Sequence, residues 1–550
     1  MKIKETEITI LITAAGSLNS ACPYTLASED AGFLSIGSTL AIEEIKNQTL
    51  QSSGSKCLLA VQNKSKEFFK LKAFDSIEII EVGSTRHVIQ TIENSLRSVR
   101  TKWCLINPIT SIPTSSIPLV ASSYFGEVKI PKENWSSITI DDHGSISFHK
   151  KSQKTSEGLS SHPFTGRILA KTKDIIGAIR QINEEEKYDL LNLAENLYKQ
   201  SKIQVKYELW LDIGHSATYP EARTNSINSR YFNSLEYKKN SNTILKKSNQ
   251  KEKLLQESTY LRNIPIELKS YFPVLISSKE LSNKYEVEME YISQPSLSEV
   301  FLYGNIGLNS WLRIIDSIER IFKLFYEKKP VLIETAEWLY SEKTINRQKK
   351  IEKLIQEENL CSLENIYNNS FQVNGICLPS LKTSYSILYR KLLDFEKDRP
   401  LHFGHGDLCF NNILVDPIFG NIKLIDPKAS IHKTLGICGL SDELYDLAKL
   451  NHSFMGLYDC IINNLFSLVE KSDRNFLFQV YRPFFYKEIY SYFQGQLILG
   501  KVEKEKLMLL TANLFFSMLP LHAESHSRML ALSIIGSILL NSGDLDFICL

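Results

Sequence analysis

Several things are missing from this 550-residue sequence, and each absence narrows what it can be. Neither charge predominates: 64 Lys and Arg face 62 Asp and Glu, a formal net charge of +2. The chain as a whole therefore lacks the electrostatic surplus that drives general binding to nucleic acid or to an anionic membrane. The nine cysteines, Cys22, Cys57, Cys104, Cys361, Cys377, Cys409, Cys438, Cys460 and Cys549, include no Cys-x-x-Cys pair and are odd in number. That argues against a zinc site or a disulfide framework and for the reduced thiols of a cytoplasmic protein. No apolar run reaches the roughly 18–20 residues that span a bilayer. The nearest, Met529–Leu540, has the length of a buried helix. The opening MKIKETEITILITAAG carries Glu5 and Glu7 where a signal peptide would keep positive charge. Its alternating β-branched residues predict a first strand instead. Repeats of fixed period and low-complexity tracts are also absent.

A hydrophobic fraction of 43% supports real cores, and the length predicts two or three domains. Up to about residue 235, strand and helix signals alternate. Strands are expected at Ile8–Thr13, Cys57–Gln62, Ile77–Val82 and Trp103–Ile106, and helices over Ser38–Lys46 and Arg86–Arg100. This βαβ rhythm predicts a largely parallel, doubly wound sheet. A hairpin is expected in 124–150, turning at Asp141–Gly144, then a helix over Leu190–Gln200 and a closing strand at Ile203–Leu211.

Residues 238–253, KKNSNTILKKSNQKEK, read in part as a solvated basic linker. Within them Thr243–Lys246 has the character of a short strand, and Lys251–Leu261 turns helical. A further strand is expected at Tyr285–Ile292. Helices follow over Ser310–Glu327, Ile345–Glu358 and Ser384–Lys397, and from Asp442 onward the chain reads as nearly all helical.

The sharpest chemistry lies in His405-Gly406-Asp407-Leu408-Cys409-Phe410-Asn411-Asn412-Ile413-Leu414, followed by two short strands that lead to Ile425-Asp426-Pro427-Lys428. Phosphoryl transfer needs one carboxylate to orient a hydroxyl and accept its proton. It also needs an oxygen ligand on the same loop for Mg²⁺, and a second carboxylate that bridges the metal to the nucleotide's phosphates. Asp407, Asn412 and Asp426 supply these groups in that order.

The segment resembles the catalytic core of the aminoglycoside phosphotransferase and choline kinase-like family, in which His-Gly-Asp is followed by Asn-x-Leu and then by Ile-Asp. The resemblance implies an α+β bilobal protein-kinase-like domain that uses ATP and Mg²⁺. Asp407 would be catalytic, His405 would shape the loop, and Asn412 and Asp426 would hold the metal. It also implies a phosphate-binding lysine with a glutamate partner. Lys246 and Glu257 suit these roles, with Lys247 second because a strand would turn it to the opposite face. Glu290 and Ile292 would flank the adenine-binding hinge, and Asp446, in Tyr445-Asp446-Leu447-Ala448, would brace the catalytic loop. The sequence departs from the pattern in having Lys428 after Asp-Pro and no glycine between Tyr237 and Lys246 to form a phosphate-covering loop.

The first part resembles a sugar-nucleotide nucleotidyltransferase, an α/β Rossmann-like domain. The resemblance rests on Ala14-Ala15-Gly16 after the first strand, Cys104–Pro108, and Trp210-Leu211-Asp212-Ile213-Gly214-His215. The family's Gly-x-Gly, Arg and Pro-Lys are replaced by Gly16-Ser17-Leu18-Asn19-Ser20 and Pro23-Tyr24, and its central metal Asp is gone from Ile106-Asn107-Pro108-Ile109. Gly16 and Asp212 remain as site candidates. Without the cations that stabilise leaving pyrophosphate, the expectation is a retained fold with nucleotidyl transfer lost or altered.

The expected architecture is a nucleotidyltransferase-like domain over 1–235, a small kinase lobe over 236–293 and a helical large lobe over 294–550. The expected function is ATP-dependent phosphorylation of a hydroxyl on a sugar or amino alcohol, in surface polysaccharide biosynthesis. The alternatives are a bifunctional kinase and nucleotidyltransferase, and a pseudoenzyme that binds nucleotide or glycan precursor. The expected partners are the nucleotide and a small-molecule acceptor, with no nucleic acid and no membrane span. Ser229–Asn233 reads as a structural junction, and His522 and His526 as packed or surface histidines with the acceptor cleft as the alternative.

Overall fold

Six consecutive buried residues, Ile8–Thr13, form β1 and carry the sheet of the first unit. A run apolar on both faces suits a parallel strand covered on each side. The computed structural model describes residues 3–18, 24–49, 55–71, 77–114, 120–127, 135–150, 161–215, 218–225, 233–358, 360–428, 437–498 and 504–548. Its contacts divide the chain into two units, Met1–Ser226 with Tyr303–Asn305, and Ile227–Leu302 with Ile306–Leu550. The junction expected at Ser229–Asn233 falls, except for Asn233, outside the described residues.

In the first unit β1 pairs in parallel with β2 (Lys56–Val61), and β2 pairs in parallel with β3 (Ile77–Glu81). On its other side β1 pairs in parallel with β4 (Trp103–Pro108). Helix α1 (Val88–Leu96) buries Ile89, Ile92 and Leu96 in the core that also takes Ile175, Leu193 and Leu197. The sheet is completed by antiparallel strands. These are β5 (Ser122–Gly126), the hairpin β6 (Ser137–Ile140) and β7 (Ile146–His149), and the long β8 (His162–Lys171). The order is β7-β6-β8-β4-β1-β2-β3, with β5 against β8. The parallel character therefore holds for four strands and gives way to antiparallel pairing beyond β4. The expected closing strand is in fact two. Gln204–Glu208 lies parallel to β5, whereas Trp210–Asp212 pairs antiparallel with Ser111–Pro113.

Two details of β8 fix this half of the sheet. Gly166 has φ +80°, and a Cβ there would lie 2.7 Å from Pro108 Cγ, so only glycine fits the approach to β4. Arg167 is fully buried, ion-paired with buried Glu208 and stacked over the Tyr124 ring.

The second unit opens with a four-stranded antiparallel sheet. Its strands are β9 (Asn233–Lys238), β10 (Thr243–Ser248), β11 (Leu275–Glu280) and β12 (Tyr285–Glu290), in the order β9-β10-β12-β11. The linker reading of 238–253 is thereby corrected. Its first part is a hairpin turning at Asn242 (φ +49°), and Lys238, Lys246 and Lys247 sit on its strands beside acidic partners. Helix α2 (Lys251–Asn263) follows β10 directly.

The larger part of this unit is helical. Helix α3 (Leu308–Tyr326) buries a full apolar stripe of Trp311, Ile314, Ile315, Ile318, Ile321, Phe322 and Phe325. Next come α4 (Ser341–Glu357), β13 (Lys397–Phe403), the hairpin β14 (Ile413–Val415) and β15 (Ile422–Leu424), β16 (Leu440–Asp442) and α5 (Glu443–Phe454). The reading of the C-terminal part as nearly all helical is also corrected. Phe466–Ser472 and Asn475–Val480 form an antiparallel hairpin within a four-stranded sheet. Phe476, Phe478 and Val480 alternate inward with a period of two.

Replacing Arg167 with Met should destabilise the first unit by about 3–5 kcal/mol, because Glu208 would stay buried without its counter-charge. Replacing both residues with apolar side chains of similar volume should recover most of that loss. Calorimetric unfolding of the wild type and both variants checks this.

Candidate active site

Lys246 lies on β10, where the alternation of that strand turns it inward and Lys247 outward. Lys247 Nζ reaches Glu236 Oε2 on neighbouring β9, 2.9 Å away at the surface. Lys246 Nζ instead sits 2.7 Å from Glu257 Oε2 on α2 and 2.6 Å from Asp426 Oδ1. Burial works against the ammonium, but Asp426 and then Glu257 outweigh it and hold the lysine charged well above its ordinary range. A strand, a helix and a loop 180 residues away thus meet at one nitrogen.

The loop bearing Asp407 is built by its own backbone. Gly406 has φ +73°, and a Cβ there would fall 2.7 Å from Lys428 Cβ, so glycine is required. Asp446 on α5 is fully buried and accepts the N–H of His405 (2.9 Å), the N–H of Gly406 (3.0 Å) and the Tyr326 hydroxyl. It is not a surface carboxylate. Burial lifts its pKa to about 6, with the three donors pulling the other way. His405 is buried and pushed down to about 4, so it is neutral near pH 7. Its Nδ1 accepts the Asp407 N–H at 3.2 Å, and its Nε2 faces the Ile425 carbonyl at 3.1 Å.

Asn412 Nδ2 donates to the Asp407 carbonyl (2.9 Å), and the Asn412 carbonyl accepts the Ile425 N–H (3.0 Å). The first bond commits the amide nitrogen, so Asn412 Oδ1 is the end left to act as a ligand. The second bond ties Asn412 to the residue preceding Asp426. Asp426 has φ +51°, a left-handed backbone at a non-glycine residue, as occurs where a site over-determines the chain. An amide oxygen and a carboxylate are hard donors suited to Mg²⁺. Among the described residues no group of three His, Cys, Asp or Glu side chains could hold a metal. A cation at Asn412 and Asp426 would therefore need phosphate oxygens to complete its shell.

Asp407 itself is paired. Lys449 Nζ on α5 lies 2.9 Å from Oδ1, and Lys428 Nζ lies 3.7 Å from Oδ2. Burial opposes the charge, yet Lys449, Lys428 and Lys343 hold the carboxyl far below the usual carboxylate range. Lys449 was missed in reading the sequence. The signal was present, since it stands three residues after Asp446 on the same helical face.

At the end of β12, the Glu290 N–H donates to the Val274 carbonyl (2.9 Å), and the Tyr291 N–H donates to Asn242 (3.1 Å). Half-buried Ile292 follows with no backbone bond among the described residues. Neither Glu290 nor Ile292 is bonded to the Lys246 or Asp407 groups. Of the two histidines, His522 Nε2 meets the Tyr458 hydroxyl at 3.3 Å, and His526 opens the last long helix.

In the first unit, Gly16 (φ +115°) and Asp212 line one cavity of about 400 Å³, with Trp135, Trp210 and His215 on its wall. Asp212 Oδ2 accepts from the Thr218 hydroxyl and lies 2.9 Å from His215 Nδ1. Trp135 packs on His215 with ring centroids 4.2 Å apart. In the segment where the resembled family has a metal Asp, Asn107 is buried and spends its amide nitrogen on the carbonyls of Pro108 and Ser111. Arg86 is the one Arg or Lys among the described residues lining the cavity.

No protein-family model and no curated protein matches the sequence. Similar solved structures include a thermostable mutant of the aminoglycoside phosphotransferase APH(4)-Ia, 10% identical, covering 55% of this chain and 88% of its own, TM-score 0.36. HddC from Yersinia pseudotuberculosis is 14% identical and covers 40% of this chain and 98% of its own, TM-score 0.29. A UDP-glucose pyrophosphorylase from Acinetobacter baumanii is 11% identical and covers 41% and 93%, TM-score 0.32. The chain thus combines a unit built on a mixed α/β sheet with a unit that joins a four-stranded antiparallel sheet to a larger, mainly helical part.

Asp446→Ala removes the acceptor of three buried donors and should cost the second unit about 2–4 kcal/mol. The raised pKa adds a pH dependence. A carboxyl whose folded pKa is about 6 against an ordinary 3.8 contributes stability that is complete below about 4 and lost as pH rises through 6. The stability gap between wild type and Asp446→Ala should therefore be wider at pH 4 than at pH 7, as denaturant unfolding at the two pH values would show.

Proposed function

We propose that the second unit is an ATP-dependent phosphotransferase that phosphorylates a hydroxyl of a small molecule. The observation that carries this reading is the meeting of Lys246 with Glu257 and Asp426 at one nitrogen, beside a loop that presents Asp407 and Asn412. A charged ammonium fixed by two carboxylates is a ready donor to the α- and β-phosphates of a nucleotide. Glu257 keeps it aimed, and Asp426 is released toward the phosphate side as the lysine takes up oxygen ligands from the nucleotide. The unbonded backbone at Ile292 is suited to adenine.

Asn412 and Asp426 would hold Mg²⁺, which supplies charge neutralisation to the transferring phosphoryl group when bound. Asp407 would orient the acceptor hydroxyl. A carboxylate held so far below its usual range is a weak base, so it takes the proton only late, after the bond to the leaving group has largely broken. His405, neutral and hydrogen-bonded at both ring nitrogens, positions the loop.

The cavity of the first unit is read as a binding site without nucleotidyl transfer. Arg86 is its only described Arg or Lys, which leaves pyrophosphate departure poorly stabilised. The pairing of a kinase with such a unit suits the supply of a phosphorylated sugar or alcohol to surface polysaccharide assembly in the cytoplasm, a reading that rests on analogy of fold.

Asp407→Asn should lower turnover at least about 100-fold while leaving ATP affinity within a few-fold of wild type. Lys246→Met should instead weaken ATP binding and lower kcat/KM about 100-fold or more. Coupled ADP-release assays and calorimetry with an ATP analogue separate the two. Equal loss of nucleotide binding in both variants would contradict the assigned roles. Pyrophosphate release from CTP, UTP, GTP or dTTP with sugar phosphates would contradict the reading of the first unit.

A further inference from the structure

Around Asp407 the second unit gathers more positive charge than the fold requires. Lys343 and Arg347 stand four residues apart on α4, and Lys449 comes from α5. Lys428 comes from the segment after Asp426. Lys449 and Lys428 face Asp407 directly, at 2.9 and 3.7 Å. Lys343 Nζ finds a phenol, the Tyr445 hydroxyl, at 2.6 Å, and no carboxylate among the described residues. Arg347 donates to the Ser517 carbonyl at 2.6 Å. The carboxylate felt most by both Lys343 and Arg347 is Asp407, which the two lysines beside it already neutralise. Four cations therefore share one carboxylate.

This crowding has a measurable cost. Burial and then the charges of Lys449 and Arg347 push the Lys343 ammonium well below its ordinary range. A cluster that served only to hold helices together would be stabler with acids interleaved, as at Arg399, which is bidentate on Asp442 at 2.7 and 3.1 Å. Like charges kept together with a single counter-ion among them form a site complementary to an anion that arrives with a ligand.

The nucleotide's phosphates have their own cation, Lys246. It is influenced by Asp426 and Glu257 and lies on the small sheet, whereas Lys343, Arg347 and Lys449 all belong to the helical lobe. The second cationic centre surrounds the residue proposed to orient the acceptor.

We infer that the acceptor of this phosphotransferase is itself an anion, a hydroxyl compound bearing a phosphate or a carboxylate, whose negative group is bound by Lys343 and Arg347 while Asp407 holds the hydroxyl. The inference rests on the kinase reading and narrows it. Choline- or ethanolamine-type acceptors would bring a cation into a site already rich in them. The reaction is balanced as an ordinary phosphoryl transfer. The hydroxyl oxygen bonds the γ-phosphorus, the bond to the β–γ bridging oxygen breaks, ADP leaves, and the hydroxyl proton passes to Asp407 and then to solvent.

The test uses the full chain with Mg-ATP and three sets of acceptors, read by mass spectrometry. These are hexose phosphates, hexuronates, and uncharged or cationic compounds (glucose, glycerol, choline, ethanolamine). The phosphate and carboxylate arms tell which anion is bound. Turnover confined to one of them is the expected result. Lys343→Gln should then raise KM for that acceptor about tenfold or more, as for loss of a charge-assisted hydrogen bond, with KM for ATP within about twofold. Preferred turnover of glucose, glycerol or an amino alcohol, unchanged in Lys343→Gln, would overturn the inference and leave the kinase reading standing.

A second measurement needs no turnover. Inorganic phosphate binding, followed by calorimetry at constant ionic strength, should weaken about tenfold in Lys343→Gln and in Arg347→Gln, with folding of each checked by circular dichroism. Phosphate binding that is absent, equal in all variants, or lost as fully in Lys246→Met would overturn the inference. Failure of ATP to bind would overturn the kinase reading, and the inference with it.

Discussion

The second unit depends on a buried ammonium shared by two carboxylates. Neither Lys246 nor Glu257 could be buried alone, because an isolated charge in a low-dielectric interior is too costly. Together they fix the angle between β10 and α2. Asp426, reaching the same nitrogen from 180 residues further along the chain, ties the small sheet to the loop that bears Asp407. The left-handed backbone at Asp426 is a local cost borne at the point where this tie is made. Asp446 supports the other side of the loop through the amides of His405 and Gly406, so the loop is held by two acids in opposite ways. Asp426 is an open, charged group that can exchange partners, whereas Asp446 is sealed and permanently engaged.

Much of this was legible in the residues. The order Asp407, Asn412, Asp426 marks one loop and one hairpin, because the residues between can form only two short strands and a Gly turn. Lys246 was legible through the strand, lysine and helix in succession, and Asp446 through the family resemblance of Tyr445-Asp446-Leu447-Ala448. The alternating pattern of Phe476, Phe478 and Val480 was equally available and was passed over among long apolar stretches that suit helices as well. The linker reading of 238–253 erred for a related reason. A strand that pairs lysines with glutamates across a ladder has no apolar signal on that face, and composition alone reads it as solvated.

What composition and spacing do not contain is the sum of charge at a point. Lys343, Arg347, Lys428 and Lys449 are separated by as many as 106 positions, and each alone is an ordinary lysine or arginine on a helix or loop. Only the packing of α4 and α5 on one helix, Lys504–Met518, turns them into a single electrostatic feature. The same holds in the first unit. The sequence shows that the residues expected to stabilise a leaving pyrophosphate are missing, yet the cavity persists, walled by Trp135, Trp210 and His215 around Asp212. The pocket does not depend on those residues, since the strands that frame it, β1 and β4, belong to the core of the sheet.

The two centres of the second unit divide the work by the kind of charge each can tolerate. At Lys246 the cation is neutralised by Asp426 and Glu257, so under the proposed reading a nucleotide would displace a carboxylate to bind. Binding there is an exchange of partners, with little change in net charge. At Lys343 four basic groups share Asp407 alone among the described carboxylates, so an arriving anion would relieve repulsion. The first arrangement suits a ligand whose own metal brings compensating charge, and the second suits one that arrives bare. Asp407 stands at the boundary, held by Lys449 from the uncompensated side. Its low basicity follows from that position, and a group of low basicity directs a hydroxyl without drawing off its proton early. An anionic group anchored on α4 would add a fixed point for the acceptor and orient its hydroxyl by geometry, which is the contribution a weak base cannot make.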